Sequence, residues 1–454
     1  MDGVSPQGGR SAPQLPTRRG RLHGAGAGLQ ACLFWLRPEY AFDWPILVLL
    51  ALGLLSLTAS ADVRVSLREL RTVVVEPMML YFLVTRVASR GRPPAGGSRE
   101  QHPGGAAPGA FASHQSPGST VHRLALALLG GAAVAAAWGL FQYAFTTQVI
   151  TAEGGLRRLI GPYPSPNALG LLLERALPLA LALALAGVVG QSTRGERRRR
   201  SPDEPEEPRG TQGDPPTGEG RETRAKAFHA WPSLLLGVSV ILVLALLLTF
   251  SVGAWAGAAV GCGLVVLRQP RRLALGLVGA ALVAGLLALP LLRTERVVSH
   301  LDLQSVTTSA VRVAVWQSAL DMVRDHPLQG VGLDGFLQLY RSHYIRPEAW
   351  REPALSHPHN LVLEAWLSLG ILGPPTLLWL LGAFFWRAHR FYQTSKDIVA
   401  KGLALGMVAG LAAGVVHGLV DRFLAGAPDL SAVFFLFLAC VAVLETSHRE
   451  EVVN

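Results

Sequence analysis

The chain has 454 residues, 50% of them hydrophobic and 16% charged, with a mean hydropathy of +0.34 and a formal net charge of +10. That is too apolar for a soluble protein of this length, and repeated apolar runs make it a polytopic membrane protein. The positive balance does not point to nucleic acid, because the arginines gather in short loops between apolar runs, the pattern of the positive-inside rule. The three cysteines, Cys32, Cys262 and Cys440, lie in apolar surroundings, with neither metal-site spacing nor a readable disulfide framework.

Residues 1–43 read as a disordered cytoplasmic N-terminus, rich in Gly, Pro and Arg to about residue 28. Arg18-Arg19 precedes only the short apolar patch Leu29–Leu36, so no cleaved signal peptide is expected. Residues 44–445 read as the membrane domain. Its apolar runs predict about ten spans: 44–60, 72–88, 123–145, 167–189, 231–250, 252–268, 272–292, 358–383, 401–420 and 430–445. Residues 446–454 are left as a cytoplasmic tail. Arg18, Arg19 and Arg21, then Arg90, Arg92 and Arg99, then Arg197–Arg200, then Arg268, Arg271 and Arg272, then Arg387, Arg390, Lys396 and Lys401 all fall on one side if the N-terminus is cytoplasmic. The loops 89–122 and 190–230 are low in complexity and read as disordered linkers on that side.

Two segments on the other side stand out. Thr146–Asn167 carries Arg157 and Arg158, then Gly161-Pro162-Tyr163-Pro164-Ser165-Pro166-Asn167, whose prolines forbid helix and set an extended turn into the fourth span. The loop 293–356 is long enough to be structured. Val311–Arg324 has helical spacing, with Arg312, Trp316, Leu320 and Val323 on one face, Pro327 stops that helix, and Gly330, Gly332 and Gly335 make a bend.

The loop meets the eighth span at Ser356-His357-Pro358-His359-Asn360-Leu361-Val362-Leu363-Glu364. Pro358 fits a first helical turn, with Ser356 or His357 as N-cap and His359 and Asn360 just inside. Unpaired N–H groups there favour an anion and a neutral histidine able to take a proton. The alternative is polar capping of a helix at a membrane surface. Ionisable groups also lie within spans at Glu76, Glu174-Arg175, Glu364 and the pair His417 and Asp421. Glu364 is expected to share a face with His357. Helix–helix pairing accounts for His417 and Asp421; for Glu174 and Arg175 it competes evenly with a role in the site.

Arg157, Arg158 and Arg312 lie against the positive-inside bias. Solvated loop arginines are one explanation; with a histidine at a helix start they also suit a diphosphate leaving group and a general base. His357 and His359 lack carboxylate or cysteine partners at usual metal spacings, and no Walker A, HExxH, GxSxG or GxGxxG context occurs, so neither metal nor cofactor is expected.

Three stretches carry a resemblance. Ser356–Gly373, SHPHNLVLEAWLSLGILG, resembles the signature of the O-antigen ligase / O-antigen polymerase superfamily. Arg158–Gly170 is similar to its R-x-x-G-x-x-x-x-P-N-x-L element, and Arg312–Trp316 followed by His326–Gly332 to its R-x-x-x-W…P-L-x-G-x-G element. The likeness covers about 120–445. It implies an all-α polytopic fold of the GT-C type with ten to twelve transmembrane helices in a bacterial inner membrane, both termini cytoplasmic. It also implies transfer of a glycan from a polyprenyl-diphosphate carrier to a hydroxyl acceptor on the extracytoplasmic face, with no metal. By that resemblance His359 is the base, with His357 as second choice. Arg158 and Arg312 hold the diphosphate, while Asn167 and Asn360 shape the loops around it. One departure is Ser251-Val252-Gly253-Ala254-Trp255, where the family often has S-R-G-A-W, leaving Arg157 or Arg175 to substitute. Glu174 joins this set as a further substrate-binding candidate. Two other readings are a transporter of a solute or lipid-linked sugar dependent on Glu174 or Glu364, and a non-catalytic scaffold.

Overall fold

A computed structural model describes residues 38–90, 117–146, 150–151, 157–200, 218–287, 308–350, 352–424 and 426–453. Most of the expected N-terminal segment, the central parts of both linkers and the start of the long loop lie outside the described residues.

Helix α1 (Asp43–Ser56) ends in a 3-10 turn and is followed by α2 (Val63–Glu69), whose N-cap Asp62 accepts from the N–H groups of Arg64 and Val65. A π-helical stretch, Leu70–Val75, leads into α3 (Glu76–Arg90). Helix α4 (Pro117–Phe145) precedes a two-residue hairpin of β1 (Ile150–Thr151) and β2 (Arg157–Arg158), antiparallel with Ile150 opposite Arg158. Then come α5 (Pro166–Arg200), α6 (Gly218–Leu248), α7 (Val252–Val266) and α8 (Arg271–Leu287). The loop beyond holds α9 (Thr308–Asp325) and the short α10 (Phe336–Leu339). The chain ends with α11 (Leu361–Leu369), α12 (Gly373–Thr394), α13 (Ile398–Gly418) and α14 (Pro428–Val453). This is an all-α polytopic membrane protein. Among the described residues five helices, α4, α5, α6, α13 and α14, are long and apolar enough to cross a bilayer; α1 and α7 are shorter apolar helices.

Three boundaries and one helical placement differ from the sequence reading. The single span expected over 358–383 is two helices. Gly370 adopts φ +74°, which breaks the helix between α11 and α12, and α11 begins only at Leu361. The linker expected over 190–230 is narrower, because α5 continues to Arg200 and α6 starts at Gly218. The tail 446–454 is mostly a continuation of α14. Leu320, placed by spacing on one face with Arg312, Trp316 and Val323, is exposed, while Val323 on that face is buried.

The centre of the bundle is α5, whose apolar stretch is 83% buried against 33% for α4 and for α6. It packs on α13, and α7 packs on both. The cause is a row of small residues. Gly402, Gly406, Gly410 and Gly414 recur every four positions on α13 and face α5. A Cβ on Gly406 would come within 2.8 Å of the Leu179 Cα, so backbone meets backbone there. A Cβ on Gly261 of α7 would likewise come within 2.7 Å of the Ala409 carbonyl oxygen. In a membrane such contact, not hydrophobic burial, holds helices together.

The end of the bundle where α5 and α7 begin and α13 finishes gathers β2, the turn before α7 and the loops around α9 and α11. The opposite end holds Arg268 and Lys401 over the Tyr392 ring, and Arg387 on Glu445 at 2.8 Å. Gly406→Leu should lower stability by about 1–3 kcal/mol through overpacking, whereas Gly382→Ala on α12, with open space at its Cβ, should be neutral. Thermal melts of both variants in detergent test this; equal melting points would contradict the packing account.

Candidate functional site

Asp421 sits in the short loop after α13, 3% exposed, and both of its oxygens are shared. His359 Nδ1 lies 3.1 Å from Oδ1, and the Arg422 backbone N–H donates to the same oxygen at 2.8 Å. Arg312 Nη2, from α9, donates to Oδ2 at 3.1 Å, and Asn167 Nδ2, from the first turn of α5, donates at 3.4 Å. His417 Nε2, one helical turn back on α13, is 3.7 Å from Oδ2, and His357 Nε2 is 3.9 Å from Oδ1. Four chain segments therefore converge on one carboxylate. Burial alone would raise its pKa; the His359 hydrogen bond and the nearby imidazoles of His357 and His417 hold it well below the usual carboxylate range.

The histidines reach this carboxylate by a different route from the one expected. Pro358, His359 and Asn360 are not the first turn of a helix. Asn360 is the N-cap of α11: its Oδ1 accepts from the Val362 and Leu363 N–H groups, and its Nδ2 donates to the Leu419 carbonyl, tying the histidine segment to the Asp421 loop. His359 precedes the cap in a left-handed conformation, φ +53°, which costs a non-glycine residue about 1–3 kcal/mol. The Trp316 indole N–H donates to its carbonyl at 3.2 Å and holds it there. Because ionised Asp421 only accepts, Nδ1 of His359 carries the hydrogen and Nε2 keeps its lone pair. The His357 ring lies 4.3 Å from the His359 ring, with Nδ1 on the Ser356 hydroxyl at 2.9 Å. Burial lowers the His357 pKa, against the pull of Asp421, which favours a neutral ring.

Arg158 is buried. Its Nε donates to the Thr249 carbonyl at 2.8 Å, and its Nη2 to Asn167 Oδ1 at 2.9 Å. Arg158, Asn167 and Asp421 thus form one chain, and Arg158 also anchors the turn before α7, where Val252 supplies no charge. Arg157 points away: its guanidinium donates to the Tyr143 and Thr146 carbonyls and lies over the Tyr143 ring. Glu174 and Arg175, expected among the substrate-binding residues, are 0% and 2% exposed and sealed between α5, α7 and α13. They lie two turns inside α5 and line no open surface. Glu364, expected to share a helical face with His357, lies on α11 while His357 precedes it. It is nevertheless near: both line one cleft together with Asp334 and Ser356.

Sequence reasoning missed the role of Asp421. The signal was His417-x-x-x-Asp421 at the same end of a span as the two arginine motifs, and it was read as helix pairing. Asp421 also supplies the carboxylate that His357 and His359 lacked at short spacing. The three ligand atoms lie within 4.8 Å of one another and could in principle hold a cation. The Arg312 guanidinium, already on that carboxylate, would compete with one.

Residues 237–374 match the sequence model of a family described as O-antigen ligase. That stretch of the chain, under a third of its length, is similar to the family. It spans Arg312, His357, His359 and Asn360 and stops short of Asp421, as it starts beyond Arg158 and Asn167. No curated protein matches the chain. Among solved structures, one described as "Structural coordination of polymerization and crosslinking by a peptidoglycan synthase complex" is similar at 18% identity. The alignment covers 92% of this chain and 99% of that one, with a TM-score of 0.44, too low a likeness to carry further meaning here.

Since the folded-state pKa of Asp421 is depressed, its stabilising effect is complete above its unfolded value of about 3.9 and fades as the pH falls below it. Melting points of wild type and Asp421→Asn should differ most at neutral pH and converge below about pH 4. A gap that does not depend on pH would contradict an ionised Asp421.

Proposed function

We propose that this chain is an O-antigen ligase-like glycosyltransferase that moves a glycan from a polyprenyl-diphosphate carrier to a hydroxyl acceptor, in cell-envelope polysaccharide synthesis. The family match supports a membrane glycosyltransferase role of that kind. The observation that carries the chemistry is the Asp421 carboxylate, shared between His359 at 3.1 Å and Arg312 at 3.1 Å. One oxygen fixes the tautomer of a base while the other holds a guanidinium beside it.

His359 Nε2 takes the proton from the acceptor hydroxyl, and the oxygen attacks the anomeric carbon on the face opposite the diphosphate. The glycosidic bond to the carrier breaks with inversion, and its electron pair leaves on polyprenyl diphosphate. Imidazolium formed at His359 is stabilised by Asp421 through Nδ1–H. Arg312 is placed to meet the charge that develops on the diphosphate, with Arg158 and Asn167 holding the loops that frame it. His357 is the second candidate base. The steps use no metal. The site faces the extracytoplasmic side of a bacterial inner membrane, with the basic end of the bundle in the cytoplasm.

Of the two carboxylates on which the transport reading would depend, Glu174 is sealed from solvent, while Glu364 lies in the cleft beside His357. In a deletion strain complemented with His359→Ala, the protein should insert normally, transfer should fall at least about 100-fold, and carrier-linked glycan should accumulate. Single repeat units in that pool mean a lost polymerase, and full chains a lost ligase. A wild-type glycan profile would overturn the assignment of His359.

A further inference from the structure

Beneath Asp421 lies a sealed polar group that the transfer step does not touch. Glu174 on α5 and His417 on α13 are 0% and 1% exposed. Glu174 Oε2 accepts from His417 Nδ1 at 2.8 Å, and its other oxygen pairs with Arg175 Nη1 at 3.1 Å. Arg175 in turn donates to the Leu171 carbonyl and lies over the Phe423 ring.

Glycines leave room for these side chains on each neighbouring helix. A Cβ at Gly253 on α7 would run into the His417 ring. One at Gly257 would come within 2.8 Å of Glu174 Oε2, and one at Gly414 within 2.7 Å of the Arg175 guanidinium. Glu174 and Arg175 are paired with each other directly. His417 adds something different, because its second nitrogen faces outward, 3.7 Å from Asp421 Oδ2. Carboxylate and imidazole alternate from Glu174 through His417 and Asp421 to His359.

We propose that His417 is a positioning residue for the transfer reaction, held by Glu174 and acting through Asp421 to aim His359. This rests on the proposed function above. Glu174 fixes the His417 ring through Nδ1, and with Glu174 ionised that nitrogen carries hydrogen. As imidazolium, His417 also carries hydrogen on Nε2, which faces the Asp421 oxygen that also meets Arg312, so the other oxygen stays directed at His359 Nδ1. Neither Glu174 nor His417 reaches the surface, so loss of His417 should slow the chemical step and leave donor binding intact.

The test uses the purified full chain in lipid nanodiscs, with a polyprenyl-diphosphate-linked glycan as donor. Variants are His417→Leu, His417→Gln and Glu174→Gln, with His359→Ala alongside. The expected result is a kcat about 10–100-fold lower for His417→Leu, a smaller loss than removal of a general base itself. The donor KM should change less than about twofold. His417→Gln, whose amide N–H groups can still donate toward Asp421, should recover part of the rate, and Glu174→Gln should fall between. A purely structural role would lower the melting point and the yield while leaving kcat per folded molecule unchanged, and that result overturns the proposal. So does a loss seen in KM alone. If His417→Leu does not fold, His417→Gln decides: wild-type kcat in that variant also overturns it. Activity that survives His359→Ala would overturn the functional reading itself. An inactive His359→Ala beside fully active His417 variants would overturn only the positioning role.

Discussion

A buried carboxylate is costly to a membrane protein unless donors surround it, and the Asp421 environment meets that demand from four directions. Its charge is answered by Arg312 from the loop helix, by the two histidine imidazoles before α11, by His417 from within α13 and by Asn167 from α5. None of these segments is near another in sequence; His359 and Asp421 alone are 62 residues apart. The carboxylate therefore does two things at once. It locks separately folded loops onto one end of the bundle, and it sets the tautomer and direction of a histidine.

The glycine-lined centre makes this possible. Close approach of α5, α7 and α13 leaves no slack between backbones, so the ends of these helices present their loops at fixed spacing. The same absence of side chains opens the small volume in which Glu174, Arg175 and His417 are enclosed. Packing and chemistry thus share one set of residues: glycines that bring helices together also shape the polar pocket under the site.

Much of this was legible in the sequence, for identifiable reasons. Apolar run length gave most of the helices, and helical spacing over 311–324 gave α9, because both follow from local periodicity. The histidine segment, Arg158, Asn167 and Arg312 were found as ordered motifs, and all lie at one end of the bundle. What stayed hidden was three-dimensional. The break at Gly370 depends on a positive φ that an apolar pattern does not reveal, so two helices read as one. Asn360 rather than Ser356 or His357 is the cap, since the chain turns sharply at His359 first. Asp421 lay in plain view, yet a carboxylate four residues from a histidine at a helix end has many ordinary explanations. Only the fold shows that the arginine and histidine motifs both point to it.

The central claim is that Asp421 acts on transfer through His359. A double-mutant cycle on the purified protein addresses it directly, with transfer rates measured for Asp421→Asn, His359→Ala and the combined variant on a polyprenyl-diphosphate-linked donor. If the two residues work as a unit, each single change slows transfer and the combined variant is no slower than His359→Ala, to within about threefold. Losses that multiply in the combined variant would mean that the two act independently, and the account of the site would not stand.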